Sequence, residues 1–208
     1  MKPKKKNTIF RRDGFSIFEV VIVLSIFALV LFAVSSFRGN LNILENLVNQ
    51  KLQSRQDLDQ EFQIMITELR SAGPSSLGAY PIETASTSSI TFFSDVDKDG
   101  VFERVRYYLS STTIQKGVIE PAGNPLVYAT STEATTTIIS NVIISTSTPF
   151  FQYYGANYTG SQPVLPLPID TTQVRIVKIS LSVDVNPKLA PVPIYFSNTI
   201  NIRNLRSN

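Results

Sequence analysis

The patterned part of the chain begins with an apolar run, Phe15 to Phe37, in which Glu19 is the single charge. The run has no period, because almost every position is apolar, so a helix built from it has no polar face for water. At 1.5 Å per residue it reaches roughly 34 Å, enough for the hydrocarbon core of a bilayer. After Phe37 the pattern becomes periodic. Leu41, Leu44, Val48, Leu52, Leu58, Phe62, Met65 and Leu69 recur mostly three or four apart, with Asn46, Gln50, Arg55, Asp59 and Gln60 between them. That spacing predicts an amphipathic helix, and Gly73-Pro74 predicts its end. One helix is expected from residue 15 to about 72, apolar all round at first and then striped, with the stripe as a packing face for the rest of the chain. Arg38-Gly39-Asn40 is a place for a bend or local melting.

From about residue 80 the period changes to two. Strands are expected at Ser88–Ser94, Val101–Leu109, Thr113–Ile119, Leu126–Ala129, Val142–Ser147, Phe150–Tyr154, Arg175–Val185 and Ile194–Ile202. Arg175 to Val183 alternates most cleanly. Thr130–Ser140 is ambiguous and reads as a loop with a short helix. Residues 155–173, with Gly155, Gly160, Pro163, Pro166 and Pro168, read as a loop. The expected fold class is α+β, a long N-terminal helix packed on a C-terminal antiparallel sheet. Four segments follow: 1–14, a basic leader; 15–37, a membrane or filament-core helix; 38–72, its amphipathic continuation; and 73–208, a β-rich domain.

Charge sharpens the picture at the N-terminus. The chain has 208 residues and a net charge of +3. Between Met1 and Gly14, Lys2, Lys4, Lys5, Lys6, Arg11 and Arg12 face only Asp13, a net of +5, so the remainder carries −2. The basic balance therefore belongs to a short tail and does not call for a nucleic-acid partner. A cationic flank ahead of an apolar span stays on the cytoplasmic side and sends the C-terminus outward. Cys and His are both absent, which removes disulfides, thiolate nucleophiles, His-based triads and the usual zinc sites. No cofactor and no catalytic residue is expected.

Three readings of the N-terminal segment compete. A secretory signal would have a shorter apolar region ending in a small-residue cleavage site, for which Ala33-Val34-Ser35 is the candidate. A plain anchor would carry no carboxylate, since one at mid-membrane costs about 2.5–3.5 kcal/mol on insertion scales. The third reading uses every feature. Arg11-Arg12-Asp13-Gly14-Phe15-Ser16-Ile17-Phe18-Glu19 resembles the leader junction of type IV prepilins and type II secretion pseudopilins. The resemblance implies cleavage after Gly14 by a membrane prepilin peptidase, methylation of Phe15 as the new first residue, and Glu19 as the fifth. It also implies that the Glu19 carboxylate neutralises the N-terminal amine of a neighbouring subunit. The partners implied are the peptidase, other pilins or pseudopilins, the inner-membrane assembly platform, and membrane lipid before assembly.

Further along, Glu68-Leu69-Arg70-Ser71-Ala72-Gly73, Ile90-Thr91-Phe92-Phe93, Val101 to Tyr108 and the closing Ile200-Asn201-Ile202-Arg203-Asn204-Leu205 are similar to the minor pilin or pseudopilin type often called PilW-like or J-like. That type implies a place in a tip complex that starts assembly. The chain departs from many major pilins in having no Pro over Ser36–Asn40 and no disulfide-closed loop. A membrane-anchored extracellular module for adhesion, sugar or DNA capture is the alternative.

Asp95, Asp97 and Asp99 ahead of Gly100 repeat the opening of a calcium loop, D-x-D-x-D-G. The twelfth position, however, is Arg106 rather than Glu, and a solvated hairpin turn is the expectation. Ser and Thr make up more than half of Ala129–Thr148, which suits exposed strand surface and leaves O-glycosylation open.

Overall fold

The computed structural model describes residue 14 and residues 16–145, 148–184 and 193–205, and for 38–54 the backbone alone. The chain divides into two compact units, Met1–Gln50 and Lys51–Asn208.

In the first unit the described structure is the N-terminal part of α1 (Ile17–Ser71). Ser16 starts the helix. Its Oγ accepts the Phe18 N–H at 3.3 Å, satisfying one of the orphan donors of the first turn, and its carbonyl accepts the Val20 N–H at 3.2 Å in the first regular helix bond. From Ile17 to Phe37 every side chain is exposed. Arg38-Gly39-Asn40 stays helical, so the expected local melting does not occur there. The expected start at Phe15 lies outside the described residues.

Among the described residues the second unit takes the last part of α1 and nine strands. Strands β1 (Ile82–Ala85), β2 (Ser89–Ser94), β3 (Glu103–Ser110), β4 (Thr113–Ile119) and β5 (Ala134–Ile139) form an antiparallel meander in that order. A second antiparallel sheet centres on β8 (Ile176–Val183), which pairs with β9 (Ile194–Asn201), with β7 (Phe151–Tyr154) and with the short β6 (Val142–Ile143). The helix stripe is buried as its period requires. Phe62, Met65, Ile66, Leu69 and Ala72 share one core with Ile90, Phe92, Val105 and Tyr107 of the first sheet and Val177, Ile179, Leu181 and Ile200 of the second. Phe62 meets Phe196 with ring centroids 5.5 Å apart. The side chains of Leu41, Leu44, Val48 and Leu52 lie outside the described residues.

The helix stops where Gly73-Pro74 predicted, and the sheet completes the stop. Ser94 Oγ donates to the Glu68 carbonyl at 3.2 Å, and Asn204 Nδ2 donates to the Ala72 carbonyl at 2.9 Å. Carbonyls of the last turn lack intrahelical N–H partners; that of Glu68 also accepts the Ser71 hydroxyl at 3.0 Å. Gly73 itself must be small, because a Cβ would lie 2.6 Å from the Phe102 ring.

Three sequence expectations are corrected. Leu126–Ala129 is not a strand. Ala122 and Val127 form an isolated bridge around a turn at Gly123, and Leu126 and Val127 are exposed. What this segment contributes is Tyr128, whose ring meets Phe93 at 5.2 Å and whose hydroxyl donates to the Phe102 carbonyl at 2.6 Å. It covers Phe93, which points to the opposite face of β2 from Ile90 and Phe92 and is nearly as buried; Ser94 shares the face of Ile90 and Phe92 and is covered by α1. Thr130–Ser140 is mostly strand: a 3-10 turn at Thr130–Thr132 leads into β5. Four of its six side chains are exposed, so its polarity is that of an edge. The third correction is β1, a strand where none was specified. The remaining strands fall within two residues of expectation, apart from Val142–Ser147, which shrinks to β6; 146, 147 and 185 lie outside the described residues. Residues 155–173 are irregular as expected, apart from a 3-10 turn at Thr171–Gln173.

Candidate functional site

Of the three junction residues, Gly14 and Glu19 are described and Phe15 lies outside the described residues. Gly14 is exposed, and a Cβ added there would meet nothing within 4 Å. Glu19 is exposed in the first turn of α1. Behind it, Ile17–Phe37 makes 21 residues of mean hydropathy 3.0 with none buried, long and apolar enough to cross a membrane. An exposed apolar surface of this size is unfavourable in water and calls for an apolar covering. Ser16 and Glu19 also stand at the spacing of a capping box, although the N–H that Ser16 Oγ accepts is that of Phe18.

The three Asp residues do converge. One carboxylate oxygen from each of Asp95, Asp97 and Asp99 lies within 4.8 Å of the others. The same carboxylates hold the turn. Asp95 accepts the Asp99 N–H at 3.1 Å and the Gly100 N–H at 3.1 Å, and Asp99 accepts the Val101 N–H at 2.7 Å. Lys98 and Gly100 take positive φ, 68° and 91°, which fits the sharp reversal between β2 and β3. Glu103, at the ninth position of the loop pattern, turns inward, is 2% exposed and accepts the Val96 N–H at 2.7 Å. Burial raises its pKa above the usual carboxylate range, and the nearby Asp97 and Asp95 charges add to the rise. Arg106, at the twelfth, makes a two-bond ion pair with Glu133 at 2.8 and 2.7 Å. Gly117 gives the Glu133 carboxylate its space. The acidic segment is thus a hairpin turn capped by its own carboxylates.

Two constellations escaped the sequence reading. The first is polar and buried. Glu68 on α1 accepts the Tyr107 hydroxyl at 2.6 Å and the Lys116 ammonium at 2.5 Å. The side chains of Glu68 and Lys116 are 12% and 18% exposed, and the Lys116 Nζ lies 5.8 Å from the centre of the Tyr107 ring. Burial, with the Glu68 charge behind it, pushes the Tyr107 pKa far above that of a free phenol. The phenol therefore works as a fixed donor. Lys116 stands 48 positions from Glu68, and nothing local in the sequence marks the pair.

The second is a cleft of about 410 Å³ where the 155–173 loop meets the start of β8. Tyr154, Asn157, Tyr158, Gln162, Thr172 and Arg175 contribute to its lining, and none of the lining residues is a carboxylate. The Tyr154 and Tyr158 rings lie 4.0 Å apart. Arg175 spends Nη1 on the Thr172 carbonyl at 2.7 Å, the Val174 carbonyl at 3.0 Å and the Tyr80 hydroxyl at 3.2 Å. Its Nε is buried with no hydrogen-bond partner. Asp170, next to the cleft in sequence, accepts from the Thr172 N–H at 3.0 Å, the Thr172 hydroxyl at 2.6 Å and Gln173 Nε2 at 2.9 Å. These bonds lower its pKa.

A scan of the sequence against protein-family models finds no match, and a search of curated proteins finds none either.

Proposed function

We propose that the chain is a non-enzymatic structural subunit of a type IV pilus-like or type II secretion-like filament. In this reading a prepilin peptidase cuts after Gly14 and Phe15 becomes the methylated first residue. The helix beginning at Phe15 sits in the cytoplasmic membrane, with the leader in the cytoplasm and the β-rich part outside. Assembly then moves the helix from lipid into a bundle of like helices, where Glu19 meets the amine of a neighbour. The similarity to minor pilins favours a place in the tip complex.

The single observation that carries the reading is the junction itself, a basic leader, Gly14, Phe15 and Glu19 spaced ahead of an unbroken apolar run. A helix that is apolar on every face and exposed along its length supports it, because both lipid and a helical bundle cover such a surface. Intact-mass analysis of the chain purified from its own cells tests it. The expected product lacks Met1–Gly14 and carries one methyl on Phe15. Gly14→Trp should abolish the cut, and because a Cβ at this exposed position meets nothing within 4 Å, that loss reports the peptidase rather than the fold. A chain that starts at Met1, or after Ser35, overturns the reading.

A further inference from the structure

We propose that the free edge of β9 pairs with the same edge of a second copy of the chain, antiparallel about Asn198, so that the two β8–β9 sheets become one. This inference concerns the second unit and does not rest on the filament reading.

A sheet edge is a template for further pairing, and folds blunt it with short strands, charges, prolines or bulges. The other edges here are blunted in this way. β1 is four residues long, carries Glu83 and has an irregular register against β2. β5 takes an irregular step against β4, where Ile114 faces Ile139 but Gln115 faces Thr137. β6 has two residues and β7 four, and the Leu165 N–H occupies the Tyr153 carbonyl on the open side of β7 at 2.8 Å. β9 has none of these devices. Its eight residues, Ile194–Asn201, hold no charge, Pro or Gly and keep one register against β8 throughout.

The hydrogen bonds around β8 show which backbone groups β9 leaves open. The Ile202 N–H donates to the Arg175 carbonyl at 3.1 Å, so the odd positions of β8 point toward β9. The Ser180 N–H donates to the Phe150 carbonyl at 3.0 Å, so the even positions point away from it. With Val177 opposite Ile200 and Ile179 opposite Asn198, the N–H and C=O groups of Tyr195, Ser197, Thr199 and Asn201 face outward. Among the described residues none of these groups has a backbone partner, and all four side chains are exposed. The four positions are symmetric about Asn198. Self-pairing there sets Tyr195 opposite Asn201, and Ser197 opposite Thr199, of the second copy, with about eight hydrogen bonds between the strands. On the core-facing side Phe196 meets Ile200, apolar against apolar. A two-fold pair opposes identical strands, where like charges across the axis would repel. β9 carries none, which suits it to its own copy rather than to a charged partner strand.

One strand edge is a small contact beside the about 1,200–2,000 Å² of a stable interface, so the pairing is weak and the test traps it covalently. The chain has no Cys of its own. The test uses the full chain in phospholipid vesicles under mild oxidation, read by non-reducing electrophoresis. Asn198→Cys places a thiol on the two-fold axis, where opposed Cα atoms stand about 4.5 Å apart, within disulfide reach. It should give a covalent dimer. Thr136→Cys, exposed on β5, should not. Adding Ser197→Lys with Thr199→Lys should cut the Asn198→Cys cross-link at least about fivefold at unchanged Tm, because like charges then stand directly opposite each other. If Asn198→Cys fails to fold, a mixture of Ser197→Cys and Thr199→Cys chains decides, and it should cross-link more than either variant alone. No dimer from the opposed thiols, equal cross-linking of Thr136→Cys, or a dimer that the Lys pair leaves intact overturns the proposal.

Discussion

Glu19 shows how one carboxylate serves two scales of argument. Locally, it sits in the first turn of α1 three residues after Ser16, where a capping box and the positive end of the helix dipole both favour an acidic group. In the proposed filament it neutralises a neighbour's Phe15 amine instead. An ion pair at 4 Å gains about 4 kcal/mol at an effective dielectric of 20, before desolvation is charged against it. Substitution separates the two roles. Glu19→Gln retains a capping-box side chain and loses the charge, whereas Glu19→Ala loses both. Both variants should insert in the membrane and be cleaved like wild type, and both should fail or work poorly in assembly. The measurement is filament yield, or co-isolation with partner pilins, at matched membrane level and cleavage. Normal incorporation of both leaves Glu19 with only its local role, and a defect in Ala alone points to capping. Loss of cleavage in either would mean that the peptidase reads Glu19.

Between elements, the last turns of α1 are tied to the first sheet by more than the apolar stripe. Lys116 on β4 and Tyr107 on β3 converge on Glu68 from the helix, and Tyr107 stacks on Phe92 at 6.1 Å. Removing one charge from a pair this buried leaves the other uncompensated, which costs about 3–5 kcal/mol. Lys116→Met should therefore destabilise by about 3 kcal/mol, allowing for the exposure that remains, and Tyr107→Phe by about 1 kcal/mol for one hydrogen bond. Glu68→Leu combined with Lys116→Met should recover most of the loss, because well-packed apolar replacements are often neutral. Urea unfolding of the three variants checks this. A double variant no more stable than Lys116→Met would show that packing around the pair, rather than the stranded carboxylate, sets the cost.

The whole chain divides at Gln50, and among the described residues the core of the second unit draws on the helix from Leu58 onward. A fragment spanning 51–208 thus keeps every described helix residue of that core while losing the apolar surface of Ile17–Phe37. It should stay in solution without detergent and melt in one cooperative transition, within a few degrees of the full chain in detergent. Circular dichroism on heating and analytical ultracentrifugation read this out. A broad, non-cooperative melt would show that the β-rich unit needs the N-terminal part to fold.

Much of this was legible in the linear pattern, and the limit is physical. A helix writes its buried face at three- and four-residue spacing, so Phe62, Met65 and Leu69 are identified as core without knowing what covers them. Gly73-Pro74 marks a stop through local backbone chemistry, and Asp95 to Gly100 marks a turn because its carboxylates bond their own backbone. Gly14 and Glu19 could be singled out for the same reason, as their signal is a short contiguous string. The Thr-rich strand β5 could not, because an edge with most of its side chains exposed has no alternation to read. Leu126–Ala129 misled because exposed apolar residues in a turn carry the same composition as a strand. Glu68 with Lys116, and Arg175 with Tyr80, stand 48 and 95 positions apart. Each member is ordinary by itself, and the chemistry arises only when sheet pairing brings distant segments to one place. Local propensity writes the elements into the chain, while the partners of a buried charge are chosen by the fold.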